Sequence, residues 1–317
     1  MALDITEANA VSTKYYDKEI TQQVYERSPF FAQLKSENSI SVEGGTQIQW
    51  PIRYKELDQA GFVGPREQLV YSQTETRTGA VLDWKYMVGQ TMVSWDERVK
   101  NNGKEQVVNL MKDKTTELND NLYKVFATAL YAAAPGANDM ESLHRIIDTT
   151  TTYAGIAYTD APSWVAGAED AATSELILYG AGSLSYMINQ ATFGTDKPTI
   201  FITTRDLWSK FESLIEPEKR YYGKDTALAK AGFTTIYFHN GEFVSDYACT
   251  DKALFGIDTK QFEIVTHRDF NMKVDPWKEL GQAGYPQAMY KAAFWVGNIK
   301  CKLRKTSFKY TALDYTL

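Results

Sequence analysis

The chain has 317 residues, of which 44% are hydrophobic and 23% charged, as expected for a folded protein with one large or two smaller domains. Its net charge of −6 argues against a surface that binds nucleic acid tightly, because such surfaces use excess Lys and Arg to neutralise phosphates. It has no apolar run near the roughly 20 residues of a membrane span, no secretory signal pattern, and two widely spaced cysteines. We therefore expect a protein of a reducing compartment, neither exported by that route nor bound to a membrane.

The first part of the chain predicts an arm followed by a β-hairpin. Residues 1–37 are mixed and polar, which is typical of an N-terminal arm with a short helix. A Gly44-Gly45 turn separates two alternating segments, 40–42 and 48–54, and this pattern predicts a hairpin. Pro51 in the second segment predicts an edge or bulge position, because proline cannot donate a ladder hydrogen bond.

A long strand is predicted next, over the segment Gly79–Ser94 with the sequence GAVLDWKYMVGQTMVS. At ~3.3 Å per residue it would span roughly 50 Å. It would pair antiparallel with 48–54 across a polar loop of roughly 25 residues, a length that suggests a function. An isolated two-stranded ribbon is marginally stable in water, so we expect this one to lie on another surface, with a neighbouring copy of the chain as the candidate.

Two helices are predicted after the ribbon. Ser94 followed three residues later by Glu97 matches a capping box, which predicts a short helix. From Lys104, apolar residues keep helical spacing until Pro135-Gly136, which predicts a helix of about 30 residues and roughly 45 Å. Its other face is polar, so one side packs and the other meets solvent or a partner.

The rest of the sequence predicts a mixed α/β region. Its expected elements, in chain order, are a helix over 172–191, a strand over 198–203, a helix over 206–214, a hairpin turning at Asn240-Gly241, strands over 254–257 and 262–265, and a closing strand over 288–303.

The sequence predicts no catalytic residue, cofactor site or metal site. His144, His239 and His267 have no neighbours at metal-ligand spacing, and Cys249 has no nearby histidine to activate it. The segment 180–185, GAGSLS, resembles part of a dinucleotide loop but has a serine where the third glycine belongs. The basic cluster Lys219, Arg220 and Lys224 is either an exposed loop or a contact with an acidic neighbour.

The order of predicted elements resembles the major capsid protein of tailed bacteriophages. That order is a polar arm, a long ribbon with a polar tip, a short capped helix, a very long helix and a mixed region with a closing strand. The resemblance covers most of the chain, and the segments that carry it are 44–52 (GGTQIQWPI), 82–85 (LDWK), 102–108 (NGKEQVV), 196–204 (DKPTIFITT) and 231–238 (AGFTTIYF).

This resemblance implies an α+β fold and a division of the chain. The implied segments are an N-terminal arm over 1–37, an extended E-loop with its flanking β-hairpin over 38–93, a P domain with a long spine helix over 94–139, a mixed α/β A domain over 140–285, and a return strand of the P domain with a C-terminal tail over 286–317.

The resemblance also implies a non-enzymatic shell protein. It would self-assemble through pentamers and hexamers into an icosahedral shell around the double-stranded DNA of a tailed phage, touching the DNA only loosely. The implied partners are further copies of itself, a separate scaffolding protein and a portal, and whether a decoration protein binds outside stays open. Such a protein belongs to the virion and is assembled in the bacterial host cytoplasm.

In that family the E-loop lies across an adjacent subunit, which makes the ribbon the candidate interface. We expect its aromatic side chains to supply apolar contact and its charged side chains to set the register. The predicted interface residues are Trp50, Lys55, Glu56, Phe62, Arg66, Glu67, Tyr71 and Trp84, with axial contacts at Lys219, Arg220 and Lys224.

Three alternatives stay open at this point. An encapsulin shares the capsid fold but encloses cargo enzymes. A nucleotide-binding enzyme would bind a small ligand at the 180–185 segment. A tail or fibre protein is disfavoured, because the long helix and the mixed region do not suit an elongated β trimer.

Overall fold

The computed structural model describes residues 28–37, 40–55, 61–66, 68, 75–101, 104–215, 235–239, 241–280 and 288–315. The helices in these ranges are α1 (Pro29–Ser36), α2 (Trp95–Lys100), α3 (Lys104–Leu130), α4 (Leu143–Ile146), α5 (Leu184–Gln190) and α6 (Arg205–Ile215). The strands are β1 (Ile40–Glu43), β2 (Ile48–Arg53), β3 (Arg77–Leu82), β4 (Lys85–Val93), β5 (Ala168–Asp170), β6 (Ser174–Glu175), β7 (Ile200–Thr203), β8 (Ile236–Phe238), β9 (Gly241–Ser245), β10 (Leu254–Ile257), β11 (Phe262–His267), β12 (Lys273–Val274), β13 (Lys278–Glu279), β14 (Met289–Cys301), β15 (Phe308–Tyr310) and β16 (Leu313–Asp314).

Two six-stranded sheets organise the described residues, and they confirm the predicted α+β class. The first sheet is built around β14, the predicted closing strand, which pairs antiparallel with β4, β11, β12 and β13, while β1 joins β11 in parallel. The second sheet has the order β5-β15-β10-β7-β9-β8. Two short ribbons complete the strands, β2 with β3 and β6 with β16.

The long strand predicted over 79–94 is wrong, because the chain changes partner inside it. β3 pairs with β2, from Ile48 opposite Leu82 to Arg53 opposite Arg77, whereas β4 pairs with β14. At the break, the Trp84 indole nitrogen donates to the Gly45 carbonyl over 2.9 Å. The alternation continues through the break, so the sequence pattern does not reveal it.

The predicted pairing of 48–54 with the strand from residue 80 is confirmed, but the hairpin over 40–54 is wrong. β1 pairs in parallel with β11, more than 200 residues away in sequence, and not with β2. Pro51 is accommodated as expected, because within the described residues the β2–β3 ribbon has no third strand and the outer edge of β2 needs no donor.

Helix α1 shows that part of the predicted arm belongs to the core. It begins at Pro29, and Phe30, Phe31 and Leu34 are fully buried. The ring of Phe31 lies 4.5 Å from that of Phe126 on α3, so the arm segment is joined to the long helix by apolar packing. Residues 1–27 lie outside the described residues.

Both helices predicted after the ribbon are confirmed. The capping box begins α2, where the Ser94 hydroxyl accepts from the Glu97 amide and the Glu97 carboxylate accepts from the Ser94 amide. Helix α3 has 27 residues and packs on β4, and its Phe126 ring lies 4.8 Å from the Trp295 ring of β14. Gly89 of β4 allows this close approach, since a methyl group there would lie 2.6 Å from Leu122 Cδ2.

The mixed region contains two corrections. The helix predicted over 172–191 is wrong in its first half, because β6 lies there and helix α5 begins only at Leu184. Gly180 and Gly182 adopt positive φ angles of 111° and 70°, which interrupt any helix. The hairpin of β8 and β9 forms as predicted, but Phe238 pairs with Gly241, so its turn begins one residue earlier than expected, at His239. The strands over 254–257 and 262–265 and helix α6 are confirmed.

Strand pairing crosses the segment boundaries that the resemblance implies. β11, β12 and β13 fall within 140–285 yet pair with β14. β15 falls within 286–317 yet pairs with β10 and β5 of the second sheet. Each sheet is therefore assembled from distant parts of the chain.

A buried polar cluster joins the C-terminal segment to the 144–169 region. Arg304 is 1% exposed, and its guanidinium donates to the carbonyls of Ile146 (2.6 Å) and Asp148 (2.8 Å). The Lys309 ammonium, also buried, contacts the carboxylates of Asp148 (2.7 Å) and Glu169 (3.0 Å). Buried charges of this kind are tolerated only when they are paired and hydrogen-bonded, so the cluster fixes one geometry for this part of the chain.

His144 lies at this cluster in the neutral state. Its ring meets the ring of Phe255 edge-on at 4.8 Å, and its backbone carbonyl accepts from Lys309. Burial, reinforced by the charge of Lys309, lowers the pKa of His144 from 6.5 to about 4, although Glu169 and Asp148 act in the opposite direction.

We predict that Gly167→Ala destabilises the subunit by about 3 kcal/mol, as overpacking against backbone does. A methyl group at Gly167 would collide with the Lys305 carbonyl and lie 2.7 Å from the Ala191 Cα. The matched control is Gly79→Ala, where no atom lies within 4 Å of the added methyl. The free energy of unfolding from urea titration of both variants tests this, and equal stability of the two would contradict it.

We also predict that the subunit loses stability as the pH falls because buried His144 must take up a proton, and that His144→Gln removes this loss. Because the folded-state pKa of about 4 is below the ordinary 6.5, the unfolded chain binds the proton more readily. The stability contributed by neutral His144 is fully present above pH 6.5 and is lost as the pH falls towards 4, by about 3 kcal/mol in total. The free energy of unfolding, measured at pH 7.5 and at pH 4.5, should therefore fall less for the variant than for the unmodified chain. An equal fall in both proteins would refute the claim that His144 is buried in its neutral form.

Candidate subunit interface

The root of the ribbon, residues 48–52 of β2 with 79–82 of β3, packs on its own chain. This corrects the expectation that the whole ribbon needs the surface of another molecule. Ile48, Trp50 and Ile52 of β2 are buried, and Ala80 and Leu82 of β3 are buried beside them. These five side chains belong to the largest apolar cluster of the described residues. The root is therefore anchored before any second copy is present.

Two of the predicted interface residues are core residues. Trp50 is 6% exposed, with the Lys300 ammonium 5.6 Å from its ring, and Trp84 is 8% exposed beside His267. Their aromatic character suggested contact with a neighbour, but the same pattern is equally typical of the buried face of a strand. Trp50 is therefore assigned to the core of its own chain and not to the interface.

The ribbon tip, the segment between β2 and β3, remains a candidate for the subunit interface. Phe62 is fully exposed and Val63 is 57% exposed, in the short uncharged run 61–65, GFVGP. Lys55 and Arg66 are also exposed. The predicted residues Glu56, Glu67, Tyr71, Lys219, Arg220 and Lys224 lie outside the described residues, so their interface roles stay predictions.

Two arginines face each other where the ribbon leaves the body of the chain. Arg53 and Arg77 stand directly opposite in the β2–β3 register, and both are exposed. Like charges at directly opposite strand positions are destabilising. This repulsion opposes the pairing at Arg53 and Arg77, where the next backbone hydrogen bond, from the Tyr54 amide to the Thr76 carbonyl over 3.1 Å, is still formed.

A second exposed surface, which the sequence analysis missed, lies on the first sheet. On β4, Tyr86 is 71% exposed, Val88 58% and Met92 47%. Val88 stands opposite Phe294 of β14, and Phe270 borders the same face. Apolar residues at the consecutive positions 86–88 were the available signal, since a strand with both faces apolar is covered on both sides or exposes an apolar patch.

A hollow of about 310 Å³ opens in this face, and we call it the aromatic hollow. Its lining includes the apolar side chains of Trp84, Tyr86, Val88, Phe270 and Phe294 and the imidazole of His267. A second hollow of about 230 Å³ shares Tyr86 and Val88 with the first and is also lined by Val125 of α3 and Asp139. Exposed patches of this kind mark surfaces for macromolecular contact.

The described residues offer little for chemistry. They contain no group of three or more His, Cys, Asp or Glu side chains that could hold a metal ion, and no helix long and apolar enough to span a membrane. Burial raises the pKa of Cys301 to about 12 and that of Cys249 well above its ordinary value, so both thiols are poor nucleophiles. The 180–185 segment follows the two-residue strand β6 through an irregular stretch, not the long buried strand that a dinucleotide loop needs.

Solved structures similar to this chain along most of its length are capsid structures. The capsid asymmetric unit of cyanophage A-1(L) matches with a TM-score of 0.64 and 14% identity, over 87% of this chain and 90% of that chain. The capsid of a native GTA particle matches with a TM-score of 0.59 and 10% identity, over 91% of each chain. The chain has the capsid fold of tailed phages.

The capsid of Myoviridae phage XM1 matches this capsid fold as well, with a TM-score of 0.53 and 11% identity over 88% of this chain and 92% of that chain. No protein-family model matches the sequence, and neither does any curated protein. The capsid fold is therefore recognised from three-dimensional structure at identities where sequence comparison finds no relative.

We predict that Trp50→Ala and Phe62→Ala have different effects on the stability of the subunit, because Trp50 is buried in the root of the ribbon and Phe62 is exposed at its tip. Removing the buried Trp50 side chain should cost the unassembled subunit about 3–5 kcal/mol of stability. Removing the exposed Phe62 side chain should change stability by less than about 0.5 kcal/mol. Urea unfolding of the two variants checks this, and a large loss for Phe62→Ala would show that the tip packs on its own chain.

Proposed function

We propose that this chain is the major capsid protein of a tailed bacteriophage, a structural protein that self-assembles into an icosahedral shell around double-stranded DNA. The observation that carries the proposal is the likeness to capsid structures over about nine tenths of both chains. A protein that shared only one motif with a shell subunit would not match the neighbours over so much of their length.

The segments take the roles that the resemblance implies. Residues 1–37 are the N-terminal arm, 38–93 the E-loop with its flanking strands, 94–139 the P domain with α3 as its spine helix, 140–285 the A domain, and 286–317 the return strand and tail. Support for the P domain comes from the packing of α3 on β4 and from the contacts of Phe126 with Trp295 and of Leu122 with Ala293 on β14. The strand pairs that cross position 285 extend this scheme, because they build each sheet from both sides of the boundary.

Assembly is the mechanism in this proposal. Each subunit forms modest interfaces, and a closed shell is stable because many weak contacts act together. The exposed ribbon tip supplies one such contact, with Phe62 as its apolar part and Lys55 and Arg66 as charges that set the register. The net charge of −6 suits a shell whose inner surface leaves packaged DNA free to move.

The partners and location follow from the same proposal. The subunit forms pentamers and hexamers with further copies of itself, and it meets a separate scaffolding protein and a portal. It is assembled in the bacterial host cytoplasm and ends in the virion. The encapsulin and nucleotide-binding alternatives gain no support from the neighbours reported above, which are capsids of phages and of a GTA particle.

Electron microscopy of the purified protein, alone and after co-expression with its genomic neighbours, tests the proposed function. We expect closed icosahedral shells, or pentamers and hexamers, in at least one of the two preparations. A protein that stays monomeric or dimeric under both conditions would overturn the proposal.

We further predict that replacing Arg66 and Glu67 together by alanine lowers the yield of shells while the subunit stays folded. The change removes two charges from the ribbon tip, where they would set the register against a neighbour. The matched control removes the same two types of charge from the exposed start of α6, with Arg205→Ala and Asp206→Ala. Shell yield by sedimentation and folding by circular dichroism are measured, and a normal yield from the tip variant would refute the role of charge in register.

A further inference from the structure

We infer that helix α2 forms a subunit contact of its own, in which its exposed face pairs antiparallel with the same face of α2 in a second copy, across a two-fold axis. The inference rests on the proposed function, and it names a contact that is separate from the ribbon. No residue of α2 is among those that the sequence predicted for the interface.

Helix α2 turns its apolar side chains away from its own chain. It has six residues and buries none of them. Trp95 is 52% exposed and Val99 is 51% exposed, although the apolar face of a surface helix ordinarily points towards the core. The half-buried residues are instead the charged Glu97 and Arg98. Because Trp95 and Val99 are four residues apart, they lie on one face of the helix, one turn from each other.

The exposed face is held in a fixed position. The Ser94 hydroxyl and the Glu97 carboxylate form the capping box that begins α2. Ser94 directly follows β4, whose last residue, Val93, is fully buried opposite Met289 of β14. The helix is therefore attached to the end of the first sheet without a linker. A surface that is already ordered loses little conformational entropy when it forms a contact.

The charges of this face complement themselves. Asp96 in the first turn and Lys100 in the last turn are both exposed, and within one helix they form an ion pair of 2.6 Å. When two such helices lie antiparallel, the acidic end of each one faces the basic end of the other, so that Asp96 meets Lys100 of the partner subunit twice. A two-fold contact requires such a self-complementary surface, because both copies use the same patch. This charge pattern identifies a second copy as the occupant.

The same arrangement covers the apolar side chains. Trp95 lies at the acidic end of α2 and Val99 at the basic end, so in the antiparallel pair each Trp95 packs on the Val99 of the other copy. Burying one aromatic side chain removes about 150–250 Å² of surface from water. A helix of this length extends only about 9 Å, so the pair buries far less than the roughly 1,200 Å² of a stable pairwise interface. An isolated pair of subunits is therefore weak.

A weak contact with two-fold symmetry has a place in the proposed shell. Pentamers and hexamers are rings, which are built from heterologous contacts that close by rotation. A shell also needs contacts that join one ring to the next, and a two-fold contact between copies in neighbouring rings is of this kind. Many such contacts act together once the shell is closed. We therefore place α2 between rings and not within one ring.

Disulfide trapping in assembled shells tests the inference. Asp96→Cys and Lys100→Cys are made as separate full-length variants, so that Trp95 and Val99 remain in place. Each variant is assembled alone and in a 1:1 mixture, imaged by electron microscopy, oxidised, and run on a non-reducing denaturing gel. We expect several-fold more disulfide-linked dimer from the mixture, because position 96 lies opposite position 100, whereas like positions are offset by about 6 Å along the helices. Cys249 and Cys301 are buried with raised pKa values, so they do not compete.

The matched control uses the same residue types at the same spacing on another helix. Asp120 and Lys124 are exposed on α3, and a 1:1 mixture of Asp120→Cys and Lys124→Cys should give no dimer above that of either variant alone. Intact shells in which the α2 mixture gives no more dimer than its separate variants would overturn the pairing of α2 and leave the proposed function standing.

A density map of shells of the unmodified chain is the second measurement, and it does not depend on the assembly of any variant. We expect two α2 helices side by side across a two-fold axis between neighbouring rings. Shells in which α2 faces solvent, or is covered by another segment or another protein, would overturn the inference alone. If the unmodified chain forms no shells or rings, both the proposed function and the inference fail.

Discussion

The nine-pair register between β4 and β14 is the constraint on which the rest of the structure depends. It sets β4 under α3, where Gly89 lets Leu118 and Leu122 approach the sheet. It also fixes the point at which the chain leaves the sheet for the ribbon, because Lys85 is the last paired residue before the break at Trp84. A slip of one residue would turn Tyr86 and Val88 inward and move Gly89 away from the helix.

Signals confined to a few neighbouring residues were read correctly from the sequence. The Ser94–Glu97 capping box, the helix from Lys104 and the closing strand β14 all have causes that lie within the element itself. The partner of each strand was harder to predict, because strand pairing depends on residues that are far apart in the sequence. The parallel pairing of β1 with β11, and the change of partner at Trp84, have no local signature.

The candidate interface also contains residues whose position could be predicted from the sequence and residues whose position could not. The exposure of Phe62 could be anticipated, because it lies in a glycine-rich run within a long polar loop. The burial of Trp50 could not, since an aromatic residue on an alternating strand suits a core and an interface equally well. The aromatic hollow is lined by residues from four separate segments, among them Gly45, Trp84, Phe270 and Phe294, and only the folded sheet brings these residues together.

The capsid fold is shared with solved structures at 10–14% identity, so little of it depends on particular side chains. Patterned burial and strand register are sufficient to specify the sheets, and many residue combinations satisfy them. Polar clusters such as that of Arg304 and Lys309 are more exacting, because every donor in them needs an acceptor at a fixed place.

The facing Arg53 and Arg77 give the ribbon a response to ionic strength. Raising the salt concentration shortens the Debye length from about 10 Å at 0.1 M to about 3 Å at 1 M, which weakens the repulsion between the two guanidinium groups. The apolar root, with Ile48 and Trp50 buried, contains no such exposed pair and holds its place at any of these concentrations. Dilute buffer therefore destabilises the Arg53–Arg77 pairing more than concentrated salt does.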